Sequence, residues 1–334
     1  MEERIYDPDN RPDVFGLRPF LKARIIGQDR ALDSLCDAVE NSECQLGGLG
    51  ESRPRGSFLC VGTTGVGKTE TAKLMGEYFY PPEFVKVFHM SGFQHENDVT
   101  KFVGDEHELP GGGENLGELG EFLSQYSDEG GVIVFDEVEK ANPKLRTLFL
   151  QMLEPGQITC GAGVSFDLSP FYLFFTSNVG AQRVMHASTA FRQLTLERNF
   201  RHSLANKLSP ELVNRVDAIL VYKKLLPKEM RQIVRLHLDR YLAEVGKRHG
   251  TSITYDASVV DFLLVRARDR WFGARHVVKE VQRYVATPLR ERMREGEVIS
   301  GRLTVQSGRI VLVAAEGANR LSEVCNGHGG EDGL

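Results

Sequence analysis

Apolar residues along this chain follow two rhythms. Short continuous runs, Ser57–Val61, Val85–Phe88, Val132–Phe135, Tyr172–Thr176 and Ile219–Val221, read as strands, the first, third and fourth of buried type. Between them the spacing lengthens to that of helices: Leu32, Leu35, Cys36 and Val39; Ala72, Met75 and Phe79; Leu116, Leu119, Phe122 and Leu123; Leu145, Leu148, Phe149 and Met152. Past Pro227 the character changes. Ile233, Val234, His237, Leu238, Tyr241, Leu242 and Val245 predict a long helix, and Val277, Val278, Val281 and Val285 predict another. Leu303–Val305 and Arg309–Leu312 flank Gln306-Ser307-Gly308 as a small hairpin. Gln157 to Asp167 reads as a hairpin loop through Gly161-Ala162-Gly163.

The segments outside these rhythms bound the domains. Residues 1–20, rich in proline and charge, read as an arm, and the Gly-, Glu- and Asn-rich residues 315–334 as a disordered tail. That leaves 21–223 as a large α/β domain and 224–314 as a smaller helical one. Two domains also suit a length of 334 residues. From Glu96 to Glu121 the acids Glu96, Asp98, Asp105, Glu106, Glu108, Glu114, Glu118 and Glu121 face Lys101 alone, which reads as an exposed acidic loop.

Composition excludes more than it selects. With 41% apolar and 26% charged residues the chain is of the ordinary globular type, and its net charge of −5 gives no reason to expect general affinity for nucleic acid. It holds no run of apolar residues long enough to span a membrane and no signal-like apolar stretch after Met1, so a cytoplasmic protein without membrane contact is expected. Cys36, Cys44, Cys60, Cys160 and Cys325 form no metal or disulfide pattern and read as reduced thiols, and no structural metal is expected.

The chemistry concentrates after two of the strands. Gly62-Thr63-Thr64-Gly65-Val66-Gly67-Lys68-Thr69 fits the phosphate-binding P-loop between a strand and a helix. Its glycines let backbone N–H groups converge on phosphate oxygens, and the following helix N-terminus adds partial positive charge. Thr64, Gly65, Val66, Gly67, Lys68, Thr69 and Glu70 are the candidate cradle for ATP; Lys68 would neutralise the β- and γ-phosphates and Thr69 would ligate Mg²⁺. Val132–Phe135 ends in Asp136-Glu137, acids placed where ligands bind in open α/β sheets. Asp136 would hold Mg²⁺, and Glu137 would orient and deprotonate the attacking water. Asn178, just past the strand Tyr172–Thr176, either meets the γ-phosphate or caps a turn before Gly180.

With these residues placed, the chain resembles the Clp/heat-shock-protein branch of the AAA+ ATPases, and most of all the second, carboxyl-terminal ATPase ring of disaggregases and peptidase-linked unfoldases. The likeness runs in order over about residues 17–313. Ile25-Ile26-Gly27-Gln28 looks like the family's entry to the adenine pocket, and Phe135 to Pro143 is nearly its Walker-B signature. Thr176 to Gly180 matches sensor 1, which gives Asn178 its role. Pro210 to Asp217 matches the arginine-finger segment with Arg215, and Gly273-Ala274-Arg275 matches sensor 2 with Arg275. The resemblance implies an α/β fold: a P-loop AAA+ module with a mostly parallel five-stranded sheet flanked by helices, plus a mainly α-helical lid with a short β-hairpin. It implies ATP and Mg²⁺ as cofactors, and assembly into a homo-oligomeric ring or spiral, a hexamer by the family's habit. Arg215 would reach into the neighbouring subunit's site, where an arginine finger supplies about 10³–10⁵ in rate. Arg275 would act from the lid of its own subunit.

Two departures shape the expected function. The family's pore loop carries a Gly-aromatic-Val-Gly motif that grips substrate. The corresponding segment here, Gly104-Asp105-Glu106-His107-Glu108-Leu109 and on to Gly113, has no aromatic, and Leu109 is its one bulky apolar residue. Peptidase-linked members carry an apolar-Gly-apolar loop, and Thr189-Ala190-Phe191 lacks its glycine. The leading expectation is an ATP-driven ring that remodels, unfolds or disassembles a protein substrate or complex, without peptidase docking. Alternatives are a nucleotide-switched assembly scaffold that binds a partner without threading it, and a DNA-associated AAA+ loader supported only by the basic lid stretch 264–295.

Overall fold

The computed structural model describes residues 12–44, 53–105, 115–179, 207–267, 274–295 and 299–314. It divides into two compact units, Met1–Lys224 and Leu225–Leu334.

The first unit begins with a 3₁₀ turn at Val14–Gly16 and the short helix α1 (Leu17–Lys22), followed by α2 (Asp29–Glu43). The arm expected through residue 20 therefore contains a packed helix. Leu17 and Leu21 are fully buried, and Arg18 ties α1 to Asp33, Asp37 and Glu40 on α2. Pro19 is tolerated because a first-turn residue needs no N–H partner.

Next come β1 (Gly56–Val61), α3 (Lys68–Phe79), β2 (Val85–His89), α4 (Glu96–Val103), α5 (Gly117–Tyr126), β3 (Gly131–Asp136) and α6 (Pro143–Leu153). The hairpin β4 (Gln157–Thr159) and β5 (Ser165–Asp167), the strand β6 (Phe171–Ser177), α7 (Pro210–Arg215) and β7 (Ala218–Val221) complete the unit. Five strands form one sheet in the order β2-β3-β6-β1-β7 with every pairing parallel. The three middle strands are buried at every residue, which accounts for their unbroken apolar runs.

Helices cover both faces of this sheet. On one side Leu59, Val61, Phe88, Phe135 and Phe175 join Phe102 of α4, Leu119 and Phe122 of α5, and Phe149 of α6 in a single core. Phe135 sits at its centre, with ring centroids 4.8 Å from Phe149 and 5.1 Å from Phe175. On the other side Phe58 packs on Phe174, and Tyr172 on Phe79 of α3.

The acidic stretch from Glu96 is not the plain loop expected. Its first residues form α4, with Phe102 buried and Glu96 and Asp98 in the first turn. Acids are favourable there, and Asp98 accepts the His95 N–H at 2.7 Å. Glu106, His107, Glu108 and Leu109 lie outside the described residues; Gly104 and Asp105 are at its near end.

The second unit holds α8 (Pro227–His249), β8 (Ile253–Tyr255), α9 (Ala257–Arg266), α10 (Arg275–Arg294), β9 (Gly301–Gln306) and β10 (Arg309–Ala314). The expected hairpin is β9–β10, but it belongs to a three-stranded sheet, because β8 pairs parallel with β9. On α10 Val277, Val281 and Val285 are buried, whereas Val278 is exposed and departs from the expected stripe. Among the described residues no helix is long and apolar enough to cross a membrane.

Candidate functional site

Sheet order builds the site. β6 lies between β1 and β3, so the turns leaving these three strands are neighbours in space. The P-loop leaves β1, Glu137 leaves β3, and Asn178 leaves β6. All three emerge at the carboxyl ends of parallel strands.

Gly67 stands at φ 106°, a left-handed conformation suited to glycine, and turns the chain into α3 at Lys68. The buried Ile25 lies against it, so that a Cβ on Gly67 would sit 3.6 Å from the Ile25 side chain. Gln28 fastens this segment by donating to Val66 O at 3.3 Å and to Lys223 O at 2.9 Å. Among the described residues the N–H groups of Thr64, Gly65, Val66, Gly67, Lys68 and Thr69 donate to no protein acceptor. Such a ring of free donors at a helix N-terminus is a receptor for an anion.

Lys68 keeps only 7% exposure, and burial pulls its amine down to about 8. Its ammonium donates to Gly62 O at 2.8 Å, Thr63 O at 2.9 Å and Asn178 Oδ1 at 2.9 Å. Asn178 in turn donates from Nδ2 to Glu137 Oε1 at 2.9 Å, while its backbone N–H is held by Glu139 Oε1 at 3.0 Å. The Asn178 side chain therefore bridges a buried cation and an acid. Glu137 adopts φ 60° and ψ 52°, a left-handed backbone that costs a non-glycine residue about 1–2 kcal/mol. Its N–H is secured by Thr176 Oγ1 at 3.0 Å, and its second oxygen pairs with Lys140 at 2.6 Å.

Asp136 sits beside this bridge, nearly buried. Its Oδ1 accepts from Thr69 Oγ1 at 2.6 Å and from Thr176 Oγ1 at 2.7 Å, and its Oδ2 lies 3.2 Å from His89 Nδ1. Burial alone would raise this carboxyl, but the hydrogen bonds from Thr69, Thr176 and His89 outweigh it and hold Asp136 below its ordinary value. An ionised carboxylate touching a P-loop hydroxyl is an oxygen donor set suited to a hard divalent cation. The loop's free N–H groups, the buried ammonium and this oxygen pair together fit a nucleoside triphosphate carried with such a cation.

Glu70 lies in the first turn of α3. Arg215 ends α7, where it donates to Leu150 O at 3.0 Å and pairs with Glu154 at 3.2 Å, so its partners are on and just after α6. Arg275 opens α10 in the second unit. Gly180, Thr189-Ala190-Phe191 and Gly273 lie outside the described residues. A cavity of about 670 Å³ in the second unit, lined by Asp239, Gly246, Lys247 and Thr254 among others, contains none of the predicted site residues. His89, Thr176, Glu139 and Lys140 were missed as site residues; only the strand order brings the first two to Asp136.

Residues 53–219 match the family model described as AAA domain (Cdc48 subfamily), and residues 225–305 match the C-terminal, D2-small domain, of ClpB protein. The chain belongs to the AAA family. Its first unit is an AAA module, its second is of the ClpB small-domain type, and the family implies that the P-loop is a nucleotide site. The chain is 33% identical over 285 residues to "Chaperone protein ClpB 2" of Nostoc sp., covering 84% of this chain and 32% of that protein. It is 33% identical over 303 residues to "Chaperone protein ClpB" of Bdellovibrio bacteriovorus, covering 89% and 33%. Among solved structures, "Closed State CryoEM Reconstruction of Hsp104:ATPyS and FITC casein" superposes with a TM-score of 0.76 at 26% identity, over 90% of this chain and 51% of that one. The chain thus spans about a third of the length of these curated relatives.

Proposed function

We propose that this AAA chain is an ATP-hydrolysing subunit of a ring or spiral that remodels a protein substrate, with residues 21–223 as the nucleotide-binding domain and 224–314 as the lid. The observation that carries the reading is the bridge Lys68–Asn178–Glu137 set beside the Thr69–Asp136 pair. It links a phosphate-neutralising cation to a general base through a polar relay that hydrogen-bonds both. The relatives' names as chaperones and the casein in the Hsp104 reconstruction support a polypeptide as the thing acted on.

In this mechanism the P-loop N–H groups and Lys68 bind the phosphates, and Lys68 exchanges its carbonyl partners for phosphate oxygens. Mg²⁺ held by Thr69 and Asp136 would spread the charge that develops on the transferred phosphoryl group. Glu137 takes the proton of the attacking water, and Asn178 fixes its Oε1. Lys140 occupies the other carboxylate oxygen and must release it for the base to act. Arg215 leaves Glu154 to complete a neighbouring subunit's site, and Arg275 reaches its own subunit's nucleotide from the lid; both roles rest on the family resemblance.

The test is ATP hydrolysis by the purified chain with and without an unfolded protein such as casein. Stimulation by polypeptide, abolished by Glu137→Gln with nucleotide binding retained, is the expected result. A chain that binds ATP yet responds to no polypeptide overturns the remodelling reading.

A further inference from the structure

The end of β2 brings a side chain to Asp136 that no motif marks. His89 and Asp136 are register partners in adjacent parallel strands, the last residue of each, and Nδ1 of His89 lies 3.2 Å from Asp136 Oδ2. The bonds on Asp136 divide by oxygen. Thr69 and Thr176 both reach Oδ1, while His89 alone among the described residues reaches Oδ2. Because the carboxylate is an acceptor only, the shared hydrogen must be on Nδ1, and His89 is the donor.

This division matters once the site is loaded. A Thr69 hydroxyl that ligates a cation does so through an oxygen lone pair and keeps its hydrogen for Oδ1. Asp136 then holds Thr69 and Thr176 on one oxygen and His89 on the other. Donors on opposite oxygens fix rotation about the carboxylate's Cβ–Cγ bond, whereas donors on Oδ1 alone leave Oδ2 free to swing. We propose that His89 is a positioning residue for the divalent cation, acting through Asp136 Oδ2 and not as a ligand. The inference rests on the nucleotide reading of the P-loop site.

Partners of metal-ligating carboxylates typically contribute 10- to 100-fold to metal affinity or activity, and the 68% exposure of the His89 side chain places it at the low end, about tenfold. Asn is the conservative replacement, since its side-chain N–H can stand near the position of Nδ1. The same exposure makes substitution at 89 benign for folding.

The experiment uses the full chain as wild type, His89→Ala and His89→Asn. A fluorescent ATP analogue is titrated in EDTA and in saturating Mg²⁺, Mn²⁺ binding to the protein–nucleotide complex is followed by EPR, and melting temperature is recorded. The expected result is equal nucleotide affinity in EDTA and equal melting for all three. Mn²⁺ affinity falls about tenfold in His89→Ala and stays within about twofold of wild type in His89→Asn. Unchanged Mn²⁺ affinity in His89→Ala overturns the proposal. So does an equal loss in EDTA, which would mark a general packing role, or a failure of Asn to rescue. If the wild type binds no nucleotide in either condition, the nucleotide reading itself falls and takes this inference with it.

Discussion

Asn178 donates its side-chain N–H to Glu137 across 2.9 Å while its amide oxygen accepts from Lys68 at the same distance, so one neutral residue spaces a cation from an acid. Direct contact between the two charges would neutralise both for catalysis. Asn178→Ala removes the spacer without touching the loop's N–H groups. Turnover is expected to fall about 10²-fold, the lower range for a misplaced general base, with nucleotide affinity changed by less than about threefold. Steady-state hydrolysis alongside equilibrium binding of an ATP analogue checks this. An equal loss in both would make Asn178 a binding residue.

Lys68 carries a folding cost with a definite pH signature. Its amine is at about 8 in the folded chain against 10.5 for the exposed group, because burial disfavours the charged form. Below pH 8 both states hold the proton and the cost is present in full. Between pH 8 and 10.5 the unfolded chain binds more protons than the folded one, so stability rises with pH. Above that window both are neutral and the cost is gone. The difference in unfolding free energy between wild type and Lys68→Met, taken without nucleotide, is expected to climb in favour of wild type by roughly 2–3 kcal/mol across that window. Denaturant titrations at pH 7.5 and pH 10 measure it, and a flat difference would show that Lys68 is not desolvated in solution.

The residues legible in sequence were those whose meaning is local. A buried parallel strand writes itself as an unbroken apolar run, and a P-loop helix keeps its spacing at Ala72, Met75 and Phe79, all buried on α3. Sheet order is not local. Nothing in the chain near His89 says that β2 lies beside β3, so its contact with Asp136 could not be read. The acids of α4 looked like loop because carboxylates serve equally well in solvent and in a helix's first turn. β8 is three residues long, too short for its alternation to stand out. Asn178 was readable as a candidate, but its contacts with Lys68 and Glu137 needed β6 to be placed between β1 and β3.

Arg215 is held within its own chain by Glu154 and by Leu150 O, and Arg53 also pairs with Glu154. The Arg215 side chain is 34% exposed and Glu154 32%, so the pair is a weak restraint of at most about 1 kcal/mol. Arg215→Ala is expected to lower hydrolysis by about 10³-fold or more with nucleotide binding intact. Glu154→Gln should release the arginine and lower the protein concentration giving half-maximal specific activity, by no more than about fivefold. Specific activity measured against protein concentration separates the two variants. Activity of Arg215→Ala matching wild type at every concentration would remove Arg215 from the site.

The candidate pore segment is anchored by close backbone packing, which makes a stability prediction independent of its acidic tip. Gly104, Gly117 and Gly161 meet where its two ends leave α4 and enter α5, against the turn of the β4–β5 hairpin. A Cβ on Gly161 would lie 1.9 Å from Asn115 O and 2.9 Å from Asp105 N, and neither backbone atom can yield without moving the segment. Gly117 adds a φ of +69° to a Cβ position 2.3 Å from Gly104 N. Gly163, in the same hairpin turn, has φ +73° but nothing within 4 Å. Gly161→Ala and Gly117→Ala are each expected to cost about 2 kcal/mol or more, lowering melting by about 4–8 °C for a unit of this size, and Gly163→Ala only the smaller left-handed penalty of about 1 kcal/mol. Below the melting range, the first two should keep basal hydrolysis and lose stimulation by casein, since the P-loop cluster is untouched while the segment's ends shift. Calorimetry and the paired hydrolysis assay read both effects. If Gly161→Ala melts with wild type, the two ends are not held as described, and if it melts early yet is stimulated normally, the segment does not meet the substrate.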